Sequence, residues 1–119
     1  MAVKRIVANI AAQTVEQADY FYADVLGLQL VMDMGWIRTY ATDGSATPQI
    51  TIAVEGGSGT QVPDLSIEVD NFDEVYQRVL AKGMAIEYGP VTEPWGVRRF
   101  YVRDPYGRLI NILTHDGQQ

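Results

Sequence analysis

The chain has 119 residues, enough for one ordinary domain with a real core and marginal for two independent ones. Lysine and arginine total 9 against 15 aspartates and glutamates, a net charge of −6. That balance argues against sequence-independent nucleic-acid binding, whose affinity comes from neutralising phosphates. There is no cysteine, which removes disulfides, thiolate nucleophiles and cysteine-based zinc sites.

No apolar run approaches the roughly 20 residues of a membrane span. Arg5 follows Lys4 where a signal-peptide core would begin, so a cytoplasmic protein with no membrane partner is expected. The acidic excess mildly favours a cationic ligand, with solubility as the plainer account.

Residues 4–12 alternate, with Ile6, Ala8 and Ile10 on one face and Val7, Asn9 and Ala11 on the other, which predicts a strand. Thr14 with Gln17 three residues on makes a capping-box pattern. Val15, Ala18, Phe21, Tyr22, Val25 and Leu26 then fall at helical spacing up to Gly27, predicting a helix over 15–26. Strands follow at Leu28–Met34 and Trp36–Thr42, hinged at Gly35, with a polar turn at 43–45 and a strand at Gln49–Val54. The segment 56–63, GGSGTQVP, reads as a flexible connection.

Beyond it the pattern restarts. Leu65, Ile67 and Val69 alternate in a strand, Asp70 or Asn71 can cap a helix through Val75, Val79 and Leu80, and Gly83 ends it. Met84–Tyr88 is a further strand. The last two strands, 97–103 and 108–114, flank Asp104-Pro105-Tyr106-Gly107, a turn in which proline presets φ and glycine permits a positive value. Strand–helix–three strands thus occurs twice, as a first module over about 1–55 and a second over about 64–119, within one domain. Neither copy can bury its sheet face alone.

The Asp-Pro-x-Gly hairpin closing the chain, the stretch Tyr20–Leu28 and the stretch Pro94–Arg98 together resemble the glyoxalase/bleomycin resistance/dioxygenase superfamily, the vicinal oxygen chelate proteins, and most closely its metal-free bleomycin-resistance-like branch. The resemblance implies an α+β fold of two βαβββ modules forming a curved, mainly antiparallel sheet around a cleft. It also implies a homodimer, in which the 56–63 linker permits exchange of modules. Metal-dependent members hold one divalent ion with His or Glu side chains. The corresponding positions here are Val7, Gln49 or Thr51, Asp64 and Asn111, so no metal and no cofactor is expected. Valine cannot ligate, and amide oxygens are weak ligands without charged company.

His115, the only histidine, reads as a solvated tail residue. Ser45, Ser58 and Ser66 have no histidine base nearby in sequence. Asp70, Asp73 and Glu74 sit at a helix start, where they suit the macrodipole. Gly56–Gly59 lacks the lysine of a phosphate loop. What remains is aromatic and polar: Trp36, Arg38 and Tyr40 on one strand face, Gln49, Trp95 in the loop before the hairpin, Tyr101 beside Tyr88, Arg98 or Arg99 for an anionic group, and Asn111 as a cleft amide. These are the candidate ligand-binding residues, with core or dimer interface as the alternative for each aromatic. The implied function is metal-independent binding or sequestration of a small aromatic or cationic molecule. The alternative is a metal-dependent lyase, isomerase or dioxygenase with an atypical site.

Overall fold

A computed structural model describes residues 3–24, 26–42 and 49–115 of the chain. It divides into two compact units, one spanning Val7–Val62 and the other formed by the residues before Val7 together with Pro63 and those after it. Each repeats the expected order of strand, helical segment and three strands.

In the Val7–Val62 unit, β1 (Val3–Ala11) runs parallel to β4 (Gln49–Ala53), while β2 (Gln29–Asp33) and β3 (Ile37–Ala41) complete the order β2-β3-β4-β1 with antiparallel pairings. Its core is Ala18, Tyr40 and Ile52, with Tyr22, Ala23 and Leu28 packed against them. The helix expected over 15–26 is a shorter, irregular element. Turns at Val15–Ala18 and Gln17–Tyr20 lead into a π-helical segment, Asp19–Ala23, in which Asp24 N–H bonds to the Asp19 carbonyl at 2.9 Å. A π turn shifts the helical register by one residue. Tyr22 and Ala23, at the end of this segment, pack against the core. Val25, the Phe21 side chain and the predicted turn at 43–45 lie outside the described residues.

The connection at 56–63 is more ordered than its composition suggests. Gly56 N–H bonds to the Thr60 carbonyl at 2.8 Å, and Gly59 N–H to the Glu55 carboxylate at 2.8 Å.

In the second unit, β5 (Leu65–Val69) is parallel to β8 (Leu109–Thr114), and β7 (Arg98–Arg103) lies between β8 and β6 (Ile86–Thr92), giving β5-β8-β7-β6. Helix α1 (Phe72–Ala81) covers one face through Phe72, Val75, Tyr76 and Val79, against Val69, Phe100, Val102, Ile110 and Ile112. The hairpin turn is fixed by Asp104, whose Oδ1 accepts from Tyr106 N–H (2.8 Å) and Arg108 N–H (2.9 Å), with Gly107 at φ +82°.

β6 extends beyond the expected strand, through Pro90 to Thr92. It is the edge strand, where proline's missing donor costs no ladder bond, and register shifts flank Tyr88 on both sides. Among the described residues no helix is long and apolar enough to cross a membrane.

Candidate functional site

Because Phe100, Val102, Ile110 and Ile112 face α1, the alternating residues Arg99, Tyr101, Asn111 and Leu113 face the other way. Strand register then sets a row across the second unit: Tyr88 opposite Tyr101, Tyr101 opposite Asn111, Asn111 opposite Ser66. Tyr88 owes its place to the irregularity in β6. Ile86 pairs with Val102 on the helix side, and by period two Tyr88 would follow it there, but the shift between them turns Tyr88 to the opposite face.

One end of this face is a buried charged network. Arg99 and Glu93 have side chains only 4% and 3% exposed, and Arg99 Nε and Nη2 both donate to Glu93 Oε2 at 2.8 Å. Tyr88 OH donates to the same oxygen at 2.7 Å, and Arg99 Nη1 donates to Tyr101 OH at 2.9 Å. The Arg99 guanidinium carbon also lies over the rings of Tyr101 (5.0 Å), Trp95 (5.1 Å) and Tyr88 (5.3 Å). Glu93 is placed for this by a tight turn, with its N–H on the Val97 carbonyl at 2.7 Å. The network is an aromatic cage already filled by the protein's own cation.

Next along the row sits Asn111, 7% exposed. Its Nδ2 donates to Ser66 Oγ at 3.1 Å, whereas Oδ1 is buried with no hydrogen-bond partner among the described residues. Ser66 Oγ can donate as well as accept, so turning the amide over only exchanges which amide atom is left without a partner. A buried polar atom in that state costs about 1–3 kcal/mol, which a ligand hydrogen bond would recover.

Of the candidate residues, Trp95, Tyr101 and Asn111 converge on this face. Arg98 does not join them: it points to the α1 side, its guanidinium carbon 4.4 Å above the Phe72 ring and Nη1 3.1 Å from Asp73 Oδ1. Arg99 holds the inner position instead. Asp64 also stands apart from the row. Its Oδ2 accepts from Leu109 N–H at 2.9 Å and so pins the start of β8, while Ser66 occupies the place beside Asn111. Ser66, Glu93 and Arg99 are the residues whose importance the sequence understated. The spacing Glu93-x5-Arg99 across a turn into a strand was the signal present for the last two.

Trp36, Arg38, Tyr40 and Gln49 lie in the other unit. Arg38 and Tyr40 do share a face, the one carrying the helical segment. Tyr40 OH bonds to Asp19, and Arg38 contacts Asp33 Oδ2 at 3.2 Å and Asp19 Oδ1 at 3.7 Å. Trp36 is half-buried just before β3, and Gln49 opens β4 opposite Ala41. On the opposite face of that half-sheet, Thr39 and Thr51 are buried and share a hydrogen bond of 3.2 Å, with Asn9 in register beside Thr51 and Val7 buried further along β1.

These positions do not fit a divalent ion. A hydrocarbon, hydroxyls and an amide supply no negative charge, and the one carboxylate, Asp64, is spent on the β8 backbone. Among the described residues no three His, Cys, Asp or Glu side chains cluster as a ligand set.

Burial, and then the hydrogen bond to Asp19, push the Tyr40 phenol up to about 12, against a smaller opposing effect of Arg38. For Arg38, burial alone would lower the guanidinium, but Tyr40 and the carboxylates of Asp33 and Asp19 outweigh it and hold it above its ordinary value. A raised phenol favours the folded state while it stays protonated. The Tyr40 contribution is therefore complete below about pH 10, the unfolded value, and is lost as pH rises through about 12. Between these limits the native protein should lose stability more steeply than Tyr40→Phe in alkaline chemical-denaturation titrations. Parallel curves would contradict this.

The family model described as Glyoxalase/Bleomycin resistance protein/Dioxygenase superfamily matches residues 4–112. No curated protein matches the chain. Among solved structures, a Legionella pneumophila protein described as an NAD-dependent benzaldehyde dehydrogenase superposes with a TM-score of 0.74 at 12% identity, covering 93% of this chain and 99% of that one. A superfamily member from Vibrio splendidus 12B01 gives 0.63 at 20% identity, covering 95% and 99%. Methylmalonyl-CoA epimerase from Mycobacterium tuberculosis gives 0.63 at 21% identity, covering 94% and 86%. At these identities the likeness is one of fold.

Proposed function

The chain belongs to the glyoxalase/bleomycin resistance protein/dioxygenase superfamily, and from that premise we propose that it binds a small aromatic molecule without a metal ion, as bleomycin-resistance-like members do. The observation that carries this is Asn111: a buried amide with one unpartnered atom among the described residues, beside the buried Tyr101, on the sheet face that α1 leaves uncovered. With Nδ2 on Ser66 Oγ, Oδ1 is the atom left to accept, and in that orientation of the amide the ligand presents an N–H or O–H donor.

The same network narrows the ligand class. The ring faces of Tyr88, Trp95 and Tyr101 already hold Arg99, so a cationic ligand would have to compete with a buried, ion-paired guanidinium. A neutral aromatic compound with a donor group fits better. The donor set argues against the metal-dependent alternative.

Trp36→Phe leaves Trp95 as the sole tryptophan reporter. Titration of that variant with neutral arylamides should give saturable fluorescence changes at micromolar concentrations. N-methyl counterparts lacking the donor, or the added change Asn111→Leu, should weaken binding by about tenfold, the worth of one buried hydrogen bond. No saturation across the panel, or one equivalent of metal in elemental analysis of untagged protein, overturns this reading.

A further inference from the structure

The Val7–Val62 unit repeats the arrangement that surrounds Asn111. On its sheet face away from the helical segment, strand register sets Met32 opposite Thr39, Thr39 opposite Thr51, and Thr51 opposite Asn9. The counterpart in the second unit runs Tyr88, Tyr101, Asn111 and Ser66 over β6, β7, β8 and β5, the matching strands of the repeat. Both rows owe their outermost member to the same device. Leu30 pairs with Tyr40 on the helical side, and the register shift after it turns Met32 to the opposite face, as the shift after Ile86 turns Tyr88. The row is buried at its centre, Thr39 and Thr51, and half-buried at its ends, Met32 and Asn9.

We propose that Thr39 and Thr51 form a second binding site, which takes the carbonyl oxygen of a small, neutral aryl ketone. Each hydroxyl brings one proton to donate, and the two share a single bond of 3.2 Å in which either can be the donor. That bond uses one proton of the two. Among the described residues neither threonine side chain has another hydrogen-bond partner. The hydroxyl that accepts therefore keeps its own O–H to give, at residues only 7% and 2% exposed. A buried donor left unused is unfavourable, and an acceptor from outside relieves it. Asn111 is short of a donor, whereas this pair is short of an acceptor.

The surroundings choose among acceptors. No member of the row is charged, and one hydroxyl does not replace the hydration of a carboxylate or phosphate. A neutral carbonyl fits. Adjacent strands stand about 4.8 Å apart, so Met32 lies next to the threonine pair. Its flexible thioether suits the edge of an aromatic ring, which puts the ring directly beside the carbonyl. An aryl ketone has that geometry, and it carries no N–H or O–H for Asn111.

Methionine-methyl NMR of the unmodified protein tests this. The chain has four methionines, and the Met32 signal is identified by its loss in Met32→Leu. Acetophenone should shift that signal saturably. Ethylbenzene, which keeps the ring without the carbonyl, should bind about tenfold more weakly. Thr39→Val combined with Thr51→Val preserves both side-chain shapes and removes both hydroxyls. That double variant should unfold at no lower urea concentration than the native protein, and should bind acetophenone no better than ethylbenzene. No saturable shift, equal affinity of the native protein for the two compounds, or an undiminished preference in the double variant overturns the proposal. The proton count does not depend on Asn111, and acetophenone offers its Oδ1 no donor. Failure here therefore leaves the Asn111 site standing, and failure there leaves this one.

Discussion

Replacing Glu93 by alanine is expected to lower stability by about 3–5 kcal/mol, the cost of leaving one partner of a buried pair alone. The variant strands the Arg99 guanidinium among Tyr88, Trp95 and Tyr101 and removes the acceptor of the Tyr88 hydroxyl. Arg99→Ala should cost a similar amount for the mirror-image reason. The pair itself contributes far less than these values suggest, because two desolvated charges offset most of their attraction. Arg99→Met combined with Glu93→Leu should therefore be markedly less damaging than either alanine variant. Urea unfolding of the two single variants and the double one, treated as a thermodynamic cycle, decides this. Single losses under about 1 kcal/mol would mean that water reaches the pair.

Gly89→Ala is the second change with a large expected effect. Gly89 sits at φ +79°, and a Cβ there would lie 2.5 Å from the Arg99 carbonyl oxygen, 3.0 Å from Val91 N and 3.3 Å from Phe100 Cα. All three are backbone atoms of β6 and β7, so the clash cannot be relieved by a rotamer change. Left-handed strain of about 1–2 kcal/mol adds to an overpacking cost of about 1–3 kcal/mol, for a loss of roughly 2–5 kcal/mol in unfolding experiments. Gly107→Ala is the control: its φ is +82°, but nothing lies within 4 Å of the added carbon. It should show the strain alone. Equal losses in the two variants would mean that β6 moves away freely.

What the sequence disclosed follows the range of the interactions concerned. The hairpin around Asp104–Gly107 was legible because its determinants are four consecutive residues, and the structure puts Asp104 Oδ1 on two backbone N–H groups of that same turn. The alternating strands and the restart after residue 63 were legible for the same local reason. The segment at 19–23 was not. Its π turn is supported by Tyr22 and Tyr40, ring centroids 5.8 Å apart, and by the bond from Tyr40 to Asp19, partners separated by 21 residues.

The site divides likewise. Asn111 and Tyr101 could be placed from the hairpin register alone. Choosing Ser66 over Asp64 depends on how β5 slides against β8, and nothing local to either strand fixes that offset. Tyr88 reaches the site only through an edge-strand irregularity, and His115 reads as a tail residue until Glu68 is beside it.

The parallel pairing of β5 with β8 joins residues 45 apart in sequence, and β8 lies inside its half-sheet between β5 and β7. During synthesis, therefore, the last of these four strands to be made goes into the middle. Until Leu109–Thr114 has emerged, β5 has no β8 partner, and α1 lacks Ile110 and Ile112 to pack on. Closing so long a loop sets in late and slowly, since its entropy cost precedes any contact that offsets it. A nascent chain stopped just short of residue 109 carries Val69, Phe72 and Phe100 without the strand that buries them, the kind of surface that chaperones engage.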